Sequence, residues 1–265
     1  MAALPVATEA QVPFLFPLNG DPHIRRTENR FLFTATASFE DEIDRLVEHV
    51  TTIGARRISV AYLSNPFGKS ILEAAEVAMK ARRLTVRSSV SFDLQGDRTK
   101  AARDLAATSP DAVILGAMAS SAADFIRAYR ATGSSAVLLA FSGVGVDIVH
   151  KQAGADAAGL VVSQIVPFPL SSSIPIVAEY QAISRARGVG DFTQLGLCGH
   201  ISARTLVEGL RRAGRNLRRQ GLMEAIEAMR NVDLGHYVVD FSPTKHHGSR
   251  FVDITLLSRT GLLVK

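Results

Sequence analysis

The chain has 265 residues, 47% of them hydrophobic, which predicts one large or two modest folded domains rather than a disordered protein. Its 30 Lys and Arg exceed its 25 Asp and Glu, and the net charge of +5 is spread along the chain apart from a basic run at residues 211–219. This distribution does not favour nucleic acid as a partner. A single cysteine excludes an internal disulfide and a zinc cluster, and the most apolar stretches are too short to cross a bilayer about 30 Å thick.

The first part of the sequence predicts pieces of an α/β domain. A short helix is predicted over residues 1–10, followed by an apolar strand over residues 12–16 and a turn at Leu18, Asn19 and Gly20. This order is typical of the interior of an α/β sheet, so we expect a domain whose leading strands lie outside this chain. The predicted helix lacks the basic start and apolar region of a secretory signal, so we expect no export of the chain as written.

Between residues 39 and 166 the sequence alternates between helical and strand patterns at regular spacing. Such alternation predicts parallel βαβ units, and four successive strand and helix pairs predict one complete doubly wound lobe. The first helix of this region has an apolar face that runs from Ile43 to Ile53. The predicted strands cover residues 57–63, 84–91, 112–115, 137–141 and 160–166, and the predicted helices cover residues 42–53, 67–82, 98–107, 121–132 and 146–153.

The alternation is interrupted at residues 167–175, where three prolines and three serines occur. We interpret this segment as a crossing between two lobes. The residues beyond it predict helices over 176–187, 192–213 and 217–229, strands over 237–241, 251–257 and 262–264, and a hairpin turn over 258–261.

Several segments share a pattern with one protein family: the helix, strand and turn of residues 1–38, and residues 37–42, 66–68, 192–214 and 247–250. Among them are Ala-Ser-Phe-Glu-Asp-Glu, Pro-Phe-Gly and His-Gly-Ser-Arg. At these positions the chain resembles the periplasmic solute-binding proteins of the leucine/isoleucine/valine-binding family. The resemblance covers essentially the whole chain.

This resemblance implies an α/β architecture of two lobes, the type I periplasmic-binding fold, in which doubly wound parallel sheets are joined by a three-strand hinge. Lobe one would hold residues 1–37 and 168–243, and lobe two would hold residues 38–167 and 244–265. Lobe one is expected to be incomplete, with a small sheet.

The resemblance also implies a function. The protein would bind a small solute, an amino acid or a related organic molecule, in the cleft between the lobes by hinge closure. It would deliver this solute to the permease of an ABC transporter in the periplasm, without a cofactor or a metal. The intact family is expected to be monomeric, and self-association is expected for this chain. The alternative is a cytoplasmic ligand-sensing domain of the same fold, as in amide-responsive regulators.

Ligands of open α/β sheets bind outside the carboxyl ends of the strands, so the turns that follow the strands hold the predicted site. The first such turn offers Leu18, Asn19 and the backbone N–H of Gly20. The resemblance places this turn against a ligand carboxylate, and a solvated turn is the alternative.

Three turns of the predicted second lobe complete the site. Phe67 stands where the family often has a tyrosine that covers the ligand, and its turn is expected to leave backbone N–H groups for the ligand. A core phenylalanine is the alternative. Met118 and Ala119 follow the predicted strand of residues 112–115. By the resemblance, Ala119 stands where branched-chain binders have a second aromatic residue that covers the ligand. Ser120 or Ser121 after them predicts a helix N-cap, with a ligand contact as the alternative. Ser142 aligns with the acid that neutralises an α-ammonium group in amino-acid binders, so uncharged or anionic ligands are favoured here.

The sequence does not favour an enzyme. The dinucleotide fingerprint, the phosphate-binding loop and the nucleophile elbow are missing from it. Cys198 and His200 lie in an apolar helical stretch where a packed cysteine is expected. His246 and His247 are only two adjacent metal ligands, so we expect a hinge segment there instead of a metal site.

Overall fold

The computed structural model describes residues 3–26, 29–215 and 217–265. The chain forms two compact units, the first from residues 1–38 and 165–251 and the second from residues 39–164 and 252–265. It therefore passes from one unit to the other three times.

The third passage lies after residue 251 instead of after residue 243. Backbone hydrogen bonds hold the intervening residues in the first unit. The Thr34 N–H donates to the His246 carbonyl at 3.0 Å, and the Gly248 N–H donates to the Thr34 carbonyl at 2.8 Å. Because this segment bonds to the backbone of the first unit as a strand would, it stays with that unit.

The first unit opens with short elements: α1 (Ala3–Glu9), β1 (Phe14–Leu15), α2 (Pro22–Arg26) and β2 (Leu32–Phe33). β1 and β2 pair in parallel, with Phe14 opposite Leu32. In the described residues this sheet has two strands, so the sheet is small, as expected. The sequence pattern does not predict α2 and β2, because five and two residues are too few to show a period.

The remaining elements follow the predicted order of helices and strands, except for a two-residue strand at Val232–Asp233 that the sequence pattern does not predict. The second unit contains α3 (Phe39–Thr52), β3 (Ile58–Leu63), α4 (Pro66–Ala81), β4 (Ser89–Phe92), α5 (Arg98–Ala107), β5 (Ala112–Gly116), α6 (Ala119–Arg130), β6 (Val137–Ala140), α7 (Val146–Ala153) and β7 (Val161–Gln164). The first unit continues with α8 (Pro175–Ala186), α9 (Gln194–Ala213), α10 (Arg219–Glu227), β8 (Val232–Asp233) and β9 (Val238–Val239), and the second unit ends with β10 (Asp253–Leu257) and β11 (Leu263–Val264). Within the described ranges, no helix is long and apolar enough to cross a membrane.

The second unit is built on one sheet of seven strands in the order β11-β10-β7-β6-β5-β3-β4. The five strands from β7 to β4 run parallel, whereas β10 and β11 run antiparallel at one edge. Helices cover both faces, as a doubly wound sheet requires. The predicted lobe of parallel strands flanked by helices is therefore confirmed.

The core of the second unit lies on both faces of the central strand β5, whose residues are all buried. Val113 and Leu115 belong to the apolar cluster under α5, α6 and α7, while Ala112 and Ile114 belong to the cluster under α3 and α4. Successive side chains of a strand point to opposite faces, so a run of apolar residues serves both clusters.

Two details of the predicted second lobe are wrong. The strand predicted over residues 84–91 begins later, as β4 at Ser89, and its first backbone hydrogen bond to β3 is that of the Arg87 N–H to the Ile58 carbonyl at 2.8 Å. Ile53, predicted on the apolar face of its helix, is 65% exposed because α3 ends at Thr52.

Tyr237 links two distant segments of the first unit. Its hydroxyl donates to the Ala35 carbonyl at 2.9 Å and to the Ile165 carbonyl at 3.4 Å. The side chain is fully buried, and burial raises the pKa of the phenol above its ordinary value. The neutral hydroxyl therefore acts as a fixed donor between these carbonyls.

Replacing Tyr237 with Phe should lower the free energy of unfolding by about 2 kcal/mol, because the buried carbonyls lose their donor. Urea unfolding followed by circular dichroism measures this change. Tyr62→Phe is the matched control, since the Tyr62 hydroxyl has no hydrogen-bond partner among the described residues. Equal midpoints for the two variants would contradict the assigned role of Tyr237.

Candidate functional site

In the parallel part of the second unit's sheet, the order in which the chain adds strands reverses between β3 and β5. β4 is added on one side of β3, and β5, β6 and β7 are then added in turn on the other side of β3. Ligands of doubly wound sheets bind outside the carboxyl ends of the strands at such a switch point. Phe67 follows β3, and Met118 and Ala119 follow β5, so three predicted site residues lie at this point.

The turn after β3 is closed by its own side chains. Asn65 caps α4, since its Oδ1 accepts a hydrogen bond from the Gly68 N–H at 2.9 Å. Pro66 occupies the first position of the helix. The Gly68 N–H is therefore already bonded, which corrects the expectation that this turn leaves its N–H groups to a ligand.

Phe67 belongs to a cluster of three aromatic rings with Phe39 and Phe141. The ring centroids lie 5.6 Å apart for Phe39 and Phe67, 5.3 Å for Phe39 and Phe141, and 5.4 Å for Phe67 and Phe141. Phe141 is buried, whereas Phe39 and Phe67 are partly exposed. Phe67 is thus held by packing and keeps accessible surface, while its role as a cover for the ligand stays a prediction.

The turn after β5 combines exposure with backbone strain. Met118 is 43% exposed, and Ala119 has a φ of 48°, a left-handed conformation that costs a residue with a Cβ about 1–2 kcal/mol. The Ser121 hydroxyl donates to the Met118 carbonyl at 2.7 Å, and the Ser120 hydroxyl accepts from Gln152 Nε2 at 2.9 Å. The N-cap of α6 is Met118 without a side-chain bond, so the predicted serine cap is wrong.

The turn after β6 rests on a buried acid. Ser142 begins a short 3₁₀ turn, and its backbone N–H donates to Glu42 Oε2 at 2.7 Å. The Ser163 hydroxyl donates to the same oxygen at 2.7 Å. Glu42 is only 1% exposed, so this carboxylate holds the turn in place from beneath and presents almost no surface to solvent.

Sequence reasoning misses Glu42, although the pattern contains a signal for it. Glu42 lies one helical turn before Leu46 and two before Val50, both of which are buried. An acid in line with apolar residues at this spacing lies on the inner face of the helix and needs buried donors. What the sequence cannot show is that Ser142 and Ser163 supply them.

The three turns form one continuous edge of the second unit. A Cβ built on Gly145, in the turn after β6, would lie 3.8 Å from the Ala119 Cα in the turn after β5. The turn after β3 joins them through the contact of Phe67 with Phe141. The structure therefore brings together all the predicted site residues of this unit.

The other predicted site residues lie in the first unit, in the turn after β1. Asn19 Oδ1 accepts from the Asp21 N–H at 2.8 Å, and the Asn19 carbonyl accepts from Arg25 Nη2 at 3.1 Å. Gly20 is buried, and Leu18 is 54% exposed. The Asn19 side chain thus stabilises its own turn, and ligand contacts of Leu18, Asn19 and Gly20 stay predictions.

Cys198 and His200 lie on α9 in the first unit. Cys198 is buried, and burial lowers the pKa of His200, which favours the neutral ring. Residues two apart on a helix do not face each other, so the pair is poorly placed to act as nucleophile and base.

His246 and His247 are held by neighbours within the first unit. The His246 ring stacks on Phe33 with centroids 4.0 Å apart, and its Nε2 lies 3.1 Å from a Glu227 carboxylate oxygen. His247 Nδ1 lies 3.0 Å from the Thr34 hydroxyl. Among the described residues, no group of three or more His, Cys, Asp or Glu could hold a metal ion.

Comparison with known proteins places this architecture in a family. A model of the periplasmic binding protein family matches residues 1–260. A substrate-binding periplasmic protein from Ralstonia solanacearum is 30% identical over 98% of this chain and 74% of its own, with a TM-score of 0.82. A search of curated proteins found no match.

More distant structures share the fold. An extracellular ligand-binding receptor from Verminephrobacter eiseniae is 24% identical over 100% of this chain and 78% of its own, with a TM-score of 0.86. A leucine binding protein from Thermotoga maritima is 18% identical over 99% of this chain and 74% of its own, with a TM-score of 0.85.

The chain belongs to the periplasmic binding protein family and has the type I fold of that family. The resemblance of the sequence to periplasmic solute-binding proteins is thereby confirmed. Its function is accordingly of the kind that the family shares, the binding of a small solute.

Proposed function

We propose that this protein binds a small organic solute at the carboxyl edge of the second unit and delivers it, in the periplasm, to the permease of an ABC transporter. One observation carries the proposal: the turns at the switch point hold partly exposed Phe67 and Met118 beside the strained Ala119. Strain of this kind clusters at ligand sites, where the surrounding structure maintains it. The matched family supports both binding and delivery.

The chemistry of this edge favours a ligand with an apolar group and no ammonium. Phe67 and Met118 offer apolar surface, and Ser142 offers a hydroxyl. The nearby acid, Glu42, already accepts two hydrogen bonds on one oxygen and is almost fully buried. A buried ammonium without an accessible counter-charge is unfavourable, so free aliphatic α-amino acids should be poor ligands.

Phenylacetate and leucine distinguish these ligand classes, because only leucine carries an ammonium group. In calorimetric titration, phenylacetate should bind more tightly than leucine. Calorimetry suits this protein because it has no tryptophan. Phe67→Ala should weaken phenylacetate binding about tenfold through lost apolar contact. Val77→Ala, an exposed position farther along α4, is the control and should change nothing.

Ser142→Glu provides the converse experiment. It places a carboxylate on the turn and should strengthen leucine binding about tenfold relative to the wild type. Ser142→Gln, similar in size and uncharged, is the control. Tight leucine binding by the wild type would mean that another residue supplies the acid, and the role given to Ser142 would be wrong.

Delivery is tested separately from binding. Reconstituted in vesicles with the ABC transporter of its own organism, the loaded protein should stimulate ATP hydrolysis more than the unloaded protein does. Binding without stimulation would favour a ligand-sensing role.

A further inference from the structure

One segment of the first unit is rich in arginine and lacks acidic residues. Residues 209–223, the basic segment, contain five arginines and no Lys, Asp or Glu. Without these arginines the chain has 25 Lys and Arg against 25 Asp and Glu, so the net charge of +5 equals the charge of the basic segment. The basic segment is therefore a local concentration of positive charge on the first unit.

The basic segment runs from the end of α9 to the first turns of α10. Arg211, Arg215 and Arg218 are exposed, and none of them forms an ion pair with an acid in the part of the chain that the structure describes. Arg212 pairs with Glu208 at 2.7 Å, just before the segment. Three arginines thus remain available to a partner.

Contacts within the first unit enlarge the positive surface. Arg30 Nη2 donates to Gln220 Oε1 at 2.9 Å, which brings a further exposed arginine to the segment. Arg219 Nη1 donates to the Ala10 carbonyl at 3.4 Å, and a carbonyl leaves the charge of the guanidinium intact. The nearest acid that follows, Glu224, accepts a hydrogen bond from Gln220 at 2.7 Å.

The kind of partner follows from the uncharged residues of the basic segment. Leu217 lies among the arginines and is 52% exposed. The segment contains no Phe, Tyr or Trp, the side chains on which unpaired bases stack. An exposed leucine gains little from the phosphates of a nucleic acid, whereas it gains apolar contact when it enters the headgroup region of a lipid bilayer.

We propose that the basic segment binds the surface of a membrane that contains anionic phospholipid. The arginines contact lipid phosphates, for which the planar guanidinium is well shaped, and Leu217 enters the interface between them. The observations that carry this inference concern the first unit alone and do not depend on the ligand site of the second unit.

Vesicle co-sedimentation tests the inference on the whole protein. The wild type should bind vesicles of equal parts phosphatidylcholine and phosphatidylglycerol, should not bind pure phosphatidylcholine, and should be released by high salt. Each arginine near an anionic surface contributes about fivefold to partitioning. The triple variant Arg211→Gln, Arg215→Gln, Arg218→Gln should therefore partition roughly one hundred-fold less than the wild type.

The matched control removes the same charge elsewhere. Arg87, Arg103 and Arg259 are exposed on the second unit, and their triple change to Gln should leave partitioning unchanged within about twofold. Leu217→Ser should weaken partitioning roughly fivefold and leave the salt dependence intact. Because that single surface change does not threaten folding, it tests the inference even if the triple variant does not fold.

Three results would overturn the inference. The first is failure of the wild type to bind the anionic vesicles. The second is an equal loss in the basic-segment variant and the control variant, which would indicate an effect of net charge alone. The third is tighter binding to a DNA duplex than to the vesicles, with no effect of Leu217→Ser, which would assign the segment to a nucleic acid.

Discussion

Gly68→Ala should lower the free energy of unfolding by about 4 kcal/mol, a large effect for the addition of one methyl group. A Cβ built on Gly68 would lie 2.0 Å from the Leu63 carbonyl oxygen and 2.7 Å from the Leu63 nitrogen. These are backbone atoms of β3, which cannot rotate away as the end of a side chain can. The start of α4 would have to move off the strand, and Phe67 with it.

Urea unfolding followed by circular dichroism measures the loss, and a second glycine provides the control. Gly199 lies in α9, and a Cβ built there meets no atom within 4 Å. Gly199→Ala should therefore stabilise the protein by about 1 kcal/mol, through the higher helix propensity of alanine. Similar stabilities for the two variants would show that Gly68 does not lie so close to the Leu63 backbone that a Cβ is excluded.

Glu42→Ala should lower the free energy of unfolding by about 3 kcal/mol, because it leaves two donors beneath the turn after β6 without their acceptor. These donors are the Ser142 N–H and the Ser163 hydroxyl. The turn would lose its support, so binding of any ligand at this edge should weaken as well. Urea unfolding and calorimetric titration with phenylacetate measure the two effects.

Glu42→Gln separates hydrogen bonding from charge. The amide oxygen can accept the Ser142 N–H, and the Ser163 hydroxyl can turn toward the Ala140 carbonyl, 3.5 Å away. The expected loss is therefore about 1 kcal/mol. Glu48→Ala, on the exposed side of the same helix, should change stability by less than about 0.5 kcal/mol. An equal loss for Ala and Gln at position 42 would show that the charge, and not the acceptor, matters.

These variants also connect stability with the proposed site. Gly68 sets the approach of α4 to β3, and Glu42 sets the turn after β6. Both act through residues that line the carboxyl edge of the sheet. A change in ligand affinity at either position would therefore accompany a change in stability, whereas Phe67→Ala and Ser142→Glu alter side chains that are partly exposed.

The sequence predicts the order and type of the elements between residues 39 and 166 because the relevant signals are local. Alternation with helical and strand periods depends on neighbouring residues alone, and four complete pairs leave few possible arrangements. The apolar face that begins at Ile43 is predicted for the same reason, and this prediction fails at the end of the helix, where Ile53 lies beyond the last helical residue and is exposed. Elements of two to five residues, such as α2 and β2, carry no period and are not predicted.

By itself, then, the sequence determined that Phe67, Met118, Ala119 and Ser142 follow strands of one doubly wound sheet. It also determined the family, through short segments spread over the whole chain. Only the tertiary structure decided what supports these residues. The strand order put Phe67 and Ala119 at the switch point, and the aromatic cluster and the Glu42 carboxylate came from residues far apart in the chain. Such contacts depend on register and on the packing of helices against the sheet, which no local pattern of residues encodes.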